Sequence, residues 1–153
     1  MVIPLEPIGY LFGGRTEVVD DDWGDVRATI ELDGARYDGE ALAGLDAFSH
    51  LLVVYQFDRV DLTKIETGAR HPRNNPAWPK VGIFAQRGKN RPNRLGVSVC
   101  EILGIEGRRV QVRGLDALDG TPILDIKPVM KGFEPRGEIR EPAWAGEIMA
   151  DYW

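Results

Sequence analysis

The sequence predicts an all-β domain: an antiparallel sheet curled into a barrel or sandwich, followed by a short C-terminal helix. Three observations lead there. Apolar residues come in short runs that alternate with polar ones or are rich in β-branched side chains. Gly- and Pro-containing turns separate these runs at close intervals, as antiparallel connections require. Long helical patterns do not alternate with the strands, so a doubly wound nucleotide fold is not expected.

Each element follows from its own pattern. Val26 to Leu32 alternates apolar and polar, as a half-buried strand does. Leu42 to His50 suits a short helix, with Asp46 near its start. Leu51 to Phe57 (LLVVYQF) is apolar and β-branched, which predicts a fully buried strand. Val81 to Ala85, Leu95 to Ile105, Arg109 to Arg113 and Ile123 to Val129 complete the series, with Glu106-Gly107-Arg108 as a hairpin turn. Glu141 to Trp153 predicts a helix with Trp144, Ile148, Met149 and Tyr152 on one face and Pro142 in its first turn. That face needs a cover, either its own sheet or a second subunit. A chain of 153 residues makes one domain, sheet at about 3–130 and tail helix at about 141–153.

Composition excludes several functions. No apolar run approaches the roughly eighteen residues of a membrane span. The first residues, MVIPLEPIGYLFGG, lack a basic region and hold two prolines, so a signal peptide is not expected. The single Cys100 forms no internal disulfide and points to the cytoplasm. One cysteine with His50 and His71 leaves no common zinc site, so no metal is expected. The net charge of −5 argues against broad, sequence-independent nucleic-acid binding but leaves room for a local basic patch. Neither phosphate-binding glycine motif is present. Asp20-Asp21-Asp22 with Asp25 reads as an acidic, solvated turn, since it lacks the periodic ligands of a calcium loop.

The chemistry concentrates between Gly82 and Val129. GIFAQRGKNRPNRLGVSV places Arg87, Lys89, Arg91 and Arg94 on a loop stiffened by Pro92, with Asn90 and Asn93 suited to turns. The loop is either a solvated hairpin tip or a preorganised holder of a carboxylate or phosphate. In LDALDGTPILDIKP, Asp119-Gly120-Thr121-Pro122 alone is an ordinary turn signal. Asp125 and Lys127 share one strand face, with Leu124 and Ile126 on the other. They form either a reactive pair at a sheet face or barrel mouth, or a structural ion pair.

These two strings resemble the signatures of the TsaA-like (TrmO) family of S-adenosylmethionine-dependent tRNA methyltransferases: an F-A-x-R loop followed by R-P-N-x-[IL]-G-x-S, and D-x-x-D-G-T-P-x-x-D-I-K-P. Leu45-Asp46-Ala47-Phe48-Ser49-His50 before an apolar strand is similar to a third family element, and the match runs from about Ile8 to Val129. The resemblance implies a small antiparallel β-barrel (TsaA-like) that binds S-adenosyl-L-methionine, acts on tRNA and forms a homodimer. The reaction it implies is methylation of N6 of threonylcarbamoyl-adenosine beside the anticodon. Carried over by motif, the cofactor site comprises Asp58, Arg59, Arg87, Arg91, Asn93, Val97, Asp116, Ala117, Leu118 and Asp119. Asp119, Asp125 and Lys127 are the catalytic candidates, with an aspartate accepting the acceptor N–H proton. The same barrel would also serve a small-molecule acceptor, or bind the cofactor without transferring its methyl.

The chain departs from the pattern at Glu17 to Trp23, which is acidic, and at Asp58-Arg59, Arg94 and Val129. The loop from Arg70 to Lys80 is either an RNA contact, with Trp78 stacking on a base, or a proline-rich lid or dimer contact.

Overall fold

The computed structural model describes every residue from Met1 to Trp153. Eight strands are present: β1 Gly9–Phe12, β2 Arg27–Leu32, β3 His50–Gln56, β4 Ala69–Arg70, β5 Val81–Gly82, β6 Leu95–Glu106, β7 Arg109–Arg113 and β8 Pro122–Pro128. Six of them close an antiparallel barrel in the order β1-β2-β7-β6-β3-β8, and β4 pairs with β5 outside it. The barrel alternative is therefore the one realised. Alternation makes the interior. Leu11, Ile30, Leu51, Val53, Val110, Val112 and Ile123 are fully buried, and Tyr55 nearly so.

Several elements differ from the sequence expectation. Residues 51–57 are not buried throughout: Leu51, Val53 and Tyr55 point inward while Leu52 and Val54 are half-buried on the outer wall. An antiparallel barrel strand has one inner and one outer face, and here the outer face is also aliphatic. The helix expected at 42–50 is two 3₁₀ turns, Gly39–Leu42 and Leu45–Ala47. Gly44, in the left-handed region at φ 85°, breaks the helical path between them. Val81 to Ala85 splits into the two-residue β5 and a 3₁₀ turn over Ile83–Ala85. The tail helix, α1, spans only Ala143–Ile148, with Pro142 just outside it as N-cap. Met149 caps α1 and Tyr152 lies beyond it, so the expected four-residue helical face does not form. Strand β1 had no counterpart among the expected elements.

The β6–β7 hairpin turns at Gly107, whose φ of 58° favours glycine. Strand β8 carries one irregularity: Val54 pairs with Asp125 and Tyr55 with Ile123, leaving Leu124 as an extra residue. This bulge shifts the phase of the strand, so Ile123 and Ile126 both serve the core while Asp125 and Lys127 face out.

Candidate functional site

Tyr55 nears the end of β3, directly opposite Gly96 at the start of β6. A Cβ on residue 96 would collide with the Tyr55 ring, so the glycine of the RPNRLGVS string makes room for that ring. The ring's hydroxyl then reaches the β7–β8 loop. It donates to Oδ1 of Asp116 at 3.0 Å and to the Asp116 carbonyl at 3.1 Å. The hydroxyl of Tyr152 donates to the other carboxylate oxygen, Oδ2. Two phenols, one from the barrel and one from the tail, thus hold one aspartate. Burial, and then the Asp116 charge, push both phenols well above their ordinary range. Ser98 lies within hydrogen-bonding reach of Tyr55 on the same strand as Gly96. Cys100, next inward, is pushed up to about 12, first by burial and then by Asp116. A thiol with so little thiolate is inert as a nucleophile.

The cationic loop is ordered from within. Gln86 donates its amide to the carbonyls of Arg70 and Val81 at 3.0 and 2.9 Å, and Arg91 donates to the Gln86 carbonyl at 2.7 Å. Arg94 adopts φ 51° and its carbonyl accepts from Phe57 N–H, seating the loop on the end of β3. Arg87 donates to the Val97 carbonyl. None of Arg59, Arg87 and Arg91 pairs with a carboxylate; each donates only to backbone carbonyls. These guanidinium groups are oriented but electrically uncompensated, which suits an anionic ligand. The positive charge of Arg87 acts on Tyr152, whose hydroxyl is on Asp116. The cationic and the aspartate-bearing loops therefore meet at one end of the barrel.

Within the aspartate loop, buried Ala117 anchors the chain in the core and Leu118 is half-buried. The Asp119 carboxylate accepts from Gly13 N–H at 2.9 Å, its N–H donates to the Arg15 carbonyl, and its own carbonyl takes Arg59. Asp119 thus ties the turn after β1. Asp125 and Lys127 form an exposed pair at 3.3 Å on the outer wall of β8. The three catalytic candidates do not form one cluster, because Asp119 is spent on the Gly13 turn while strand alternation points the other two outward. Asp125 is nonetheless adjacent to the cationic loop: Asp125, Val54 and Val97 lie side by side across three strands, and Val97 carries Arg87 on its carbonyl. Asp58 and Asn93 are exposed at the same end.

Three segments outside the barrel are tied to one another, and one of them carries Tyr152. Arg73 forks onto Asp21, with its closer contact at 2.8 Å. Trp78 donates its indole N–H to Glu147 at 2.7 Å. Asp22 and Trp23 donate backbone N–H groups to the carbonyls of Asp151 and Tyr152. Arg15 lies 4.2 Å over the Trp23 ring and donates to the Asp21 carbonyl. The acidic turn is thus engaged with arginines instead of merely solvated. In the 70–80 loop, Trp78 is held against the tail by Glu147. Sequence reasoning missed Tyr55 and Tyr152. Tyr55 stands in the sequence only as one residue of an apolar strand, and Tyr152 has helical spacing with Trp144 and Ile148, so neither carries a local signal of its role.

The model of the tRNA-methyltransferase O N-terminal domain matches residues 21–134. A probable S-adenosyl-L-methionine-binding protein of Pyrococcus abyssi is 33% identical over 149 residues, 92% of this chain and 77% of that protein. The human tRNA (adenine(37)-N6)-methyltransferase is 32% identical over 102 residues, 67% of this chain but 23% of the human protein. A crystal structure of TrmO superposes with a TM-score of 0.75 at 32% identity, over 92% of this chain and 64% of that one. The chain thus spans less than two thirds of the human relative and of the TrmO structure. No helix is long and apolar enough to cross a membrane.

Proposed function

The chain belongs to the tRNA-methyltransferase O N-terminal domain family, and from that premise we propose that it is an S-adenosylmethionine-dependent methyltransferase acting on N6 of threonylcarbamoyl-adenosine beside the anticodon of tRNA. The observation that carries this reading is the juxtaposition of a doubly held Asp116 with an acid-free Arg87. The residues fit the cofactor. Asp116 offers a fixed anion to ribose hydroxyls or an ammonium, and Arg87 and Arg91 offer guanidinium forks to a carboxylate. When bound, S-adenosylmethionine supplies an electrophilic methyl on a sulfonium.

The protein's part is positioning and proton handling. The acceptor nitrogen is urea-like, with a delocalised lone pair, so a base that takes its N–H proton raises its nucleophilicity. The exposed Asp125 is placed as that base by its position beside the Val97 carbonyl that Arg87 holds, with Ile126 N–H at 3.0 Å on one oxygen and Lys127 at 3.3 Å on the other. Arg59, which pairs with no carboxylate of the chain, can hold the threonyl carboxylate.

A second reading, a small-molecule acceptor, is favoured by one observation. The loop expected to meet RNA is tied down, with Arg73 neutralised by Asp21 and Trp78 held by Glu147. Homodimerisation in the cytoplasm belongs to the same proposal. Its support is the exposed aliphatic block of Val97 (40%) and Val99 (47%) beside Leu52 and Val54 on the outer wall. Incubation with labelled S-adenosylmethionine and total tRNA from a strain lacking the activity, followed by nucleoside analysis, tests the reading. Label in an N6-methylated threonylcarbamoyl-adenosine is expected; no label in any nucleoside, with turnover of a small acceptor, would transfer support to the second.

A further inference from the structure

We propose that Tyr152 is a positioning residue of the cofactor site: with Tyr55 it fixes the Asp116 carboxylate from two sides, making segment 149–153 a wall of the pocket. This rests on the assignment of Asp116 to that site. A carboxylate has about four acceptor positions over its two oxygens. Tyr55 takes one on Oδ1 and Tyr152 one on Oδ2, which fixes the rotation of the group and leaves acceptor capacity on each oxygen. An anion held in this way is preorganised for ribose hydroxyls or an ammonium, because ordering it costs nothing further on binding.

The two phenols differ in origin. Tyr55 belongs to the barrel wall, its ring seated over Gly96. Tyr152 belongs to a segment docked from outside through the backbone N–H groups of Asp22 and Trp23, and within that segment the Trp153 ring stands edge-on to it at 4.8 Å between centroids. Gly24 permits that docking, since a Cβ there would lie 2.7 Å from the Trp153 carbonyl carbon. The outer ties of this clasp, Arg73 to Asp21 and Trp78 to Glu147, make no hydrogen bond or ion pair to Asp116. Closure of the clasp is communicated to the carboxylate through the Tyr152 hydroxyl. Removing that one oxygen uncouples the two while leaving the ring and its packing in place.

The test is calorimetric titration of S-adenosylmethionine and S-adenosylhomocysteine into the wild type, Tyr152→Phe, Asp116→Asn, Arg73→Ala and the Arg73→Ala/Tyr152→Phe double variant. Tyr152→Phe should weaken both ligands about tenfold, the loss of a hydrogen bond to a charged group. The cofactor KM should rise similarly, with kcat at saturating cofactor within about twofold, because uniform binding has been lost. Arg73→Ala should weaken binding alone but add nothing in the Tyr152→Phe background, a coupling that a purely structural tyrosine would not show. Binding by Tyr152→Phe at wild-type strength, or tighter because the phenol had competed with ligand, would overturn the inference. If Asp116→Asn also binds like the wild type, the error lies in placing Asp116 in the site. No heat with the wild type would instead refute the cofactor reading itself.

Discussion

Gly96 and Tyr55 face each other across β3 and β6, and the tyrosine ring occupies the volume that any side chain at residue 96 would need. Gly96→Ala must therefore displace the ring or the backbone. Overpacking of this kind costs about 1–3 kcal/mol. The urea midpoint should fall accordingly, and the displaced hydroxyl should release Asp116 and weaken cofactor binding. An alanine variant with unchanged stability and affinity would contradict the packing described.

Asp125→Asn separates the two aspartates proposed for proton transfer. It removes a base without changing shape, so turnover at saturating cofactor should drop at least about a hundredfold, the scale of general-base catalysis. Asp119→Asn should act elsewhere, because its carboxylate holds Gly13 N–H. The expected result is a stability loss of about 1 kcal/mol with turnover largely kept. Reversed outcomes in rapid-quench and denaturation assays would exchange the two roles.

Much of the barrel is legible in the sequence. Strands at 27–32, 95–106 and 109–113 fall within a residue of their expected limits, because alternation and a glycine turn are local signals. The tail was not legible. Trp144, Ile148, Met149 and Tyr152 have helical spacing, yet α1 stops at Ile148 and residues 149–152 continue as turns, with Tyr152 N–H on the Met149 carbonyl while the Asp151 and Tyr152 carbonyls accept from Asp22 and Trp23. The phase shift at Leu124 is equally invisible, since a bulge is set by pairing across strands. For the site, charged residues in motifs were found, whereas the tyrosines that hold Asp116 were not. Their role depends on distant sequence positions meeting.

Salt dependence discriminates RNA from a small acceptor. Arg70, Lys80, Lys89 and Arg94 are among the cations that make no ion pair within the chain and so can meet phosphates. If tRNA is the substrate, log affinity should fall linearly with log salt, and alanine at each contacting position should lessen the slope by roughly 0.7–0.9. Arg73→Ala should leave that slope unchanged, as its charge is already matched by Asp21. A flat salt profile would remove RNA from consideration.

Alkaline pH should destabilise the fold from about pH 9 upward. An exposed thiol titrates near 9.0, whereas buried Cys100 holds its proton to about 12. Between those values the unfolded chain releases the proton and the folded chain does not, so unfolding is favoured as pH rises. Tyr55 and Tyr152, also shifted upward, extend the loss beyond pH 10. Urea midpoints measured from pH 8 to 11 should decline, and Cys100→Ala should flatten the first part of the curve. A midpoint independent of pH would show that these groups do not stay neutral in the native state.

The barrel is closed by its shortest ladder: β1 and β8 pair at Gly9 with Ile123 and Tyr10 with Pro122, where a proline cannot donate, and the seam is extended by backbone bonds of Ile8 to Ile123 and between Leu11 and the 120–121 turn. A cylinder parts first at its weakest seam. Amide protons of residues 9–12 should thus exchange with solvent earlier than those of the long β3–β6 ladder, and the parted form would present two raw strand edges to neighbouring molecules. Aggregation on mild heating would begin there, while most of the sheet was still intact.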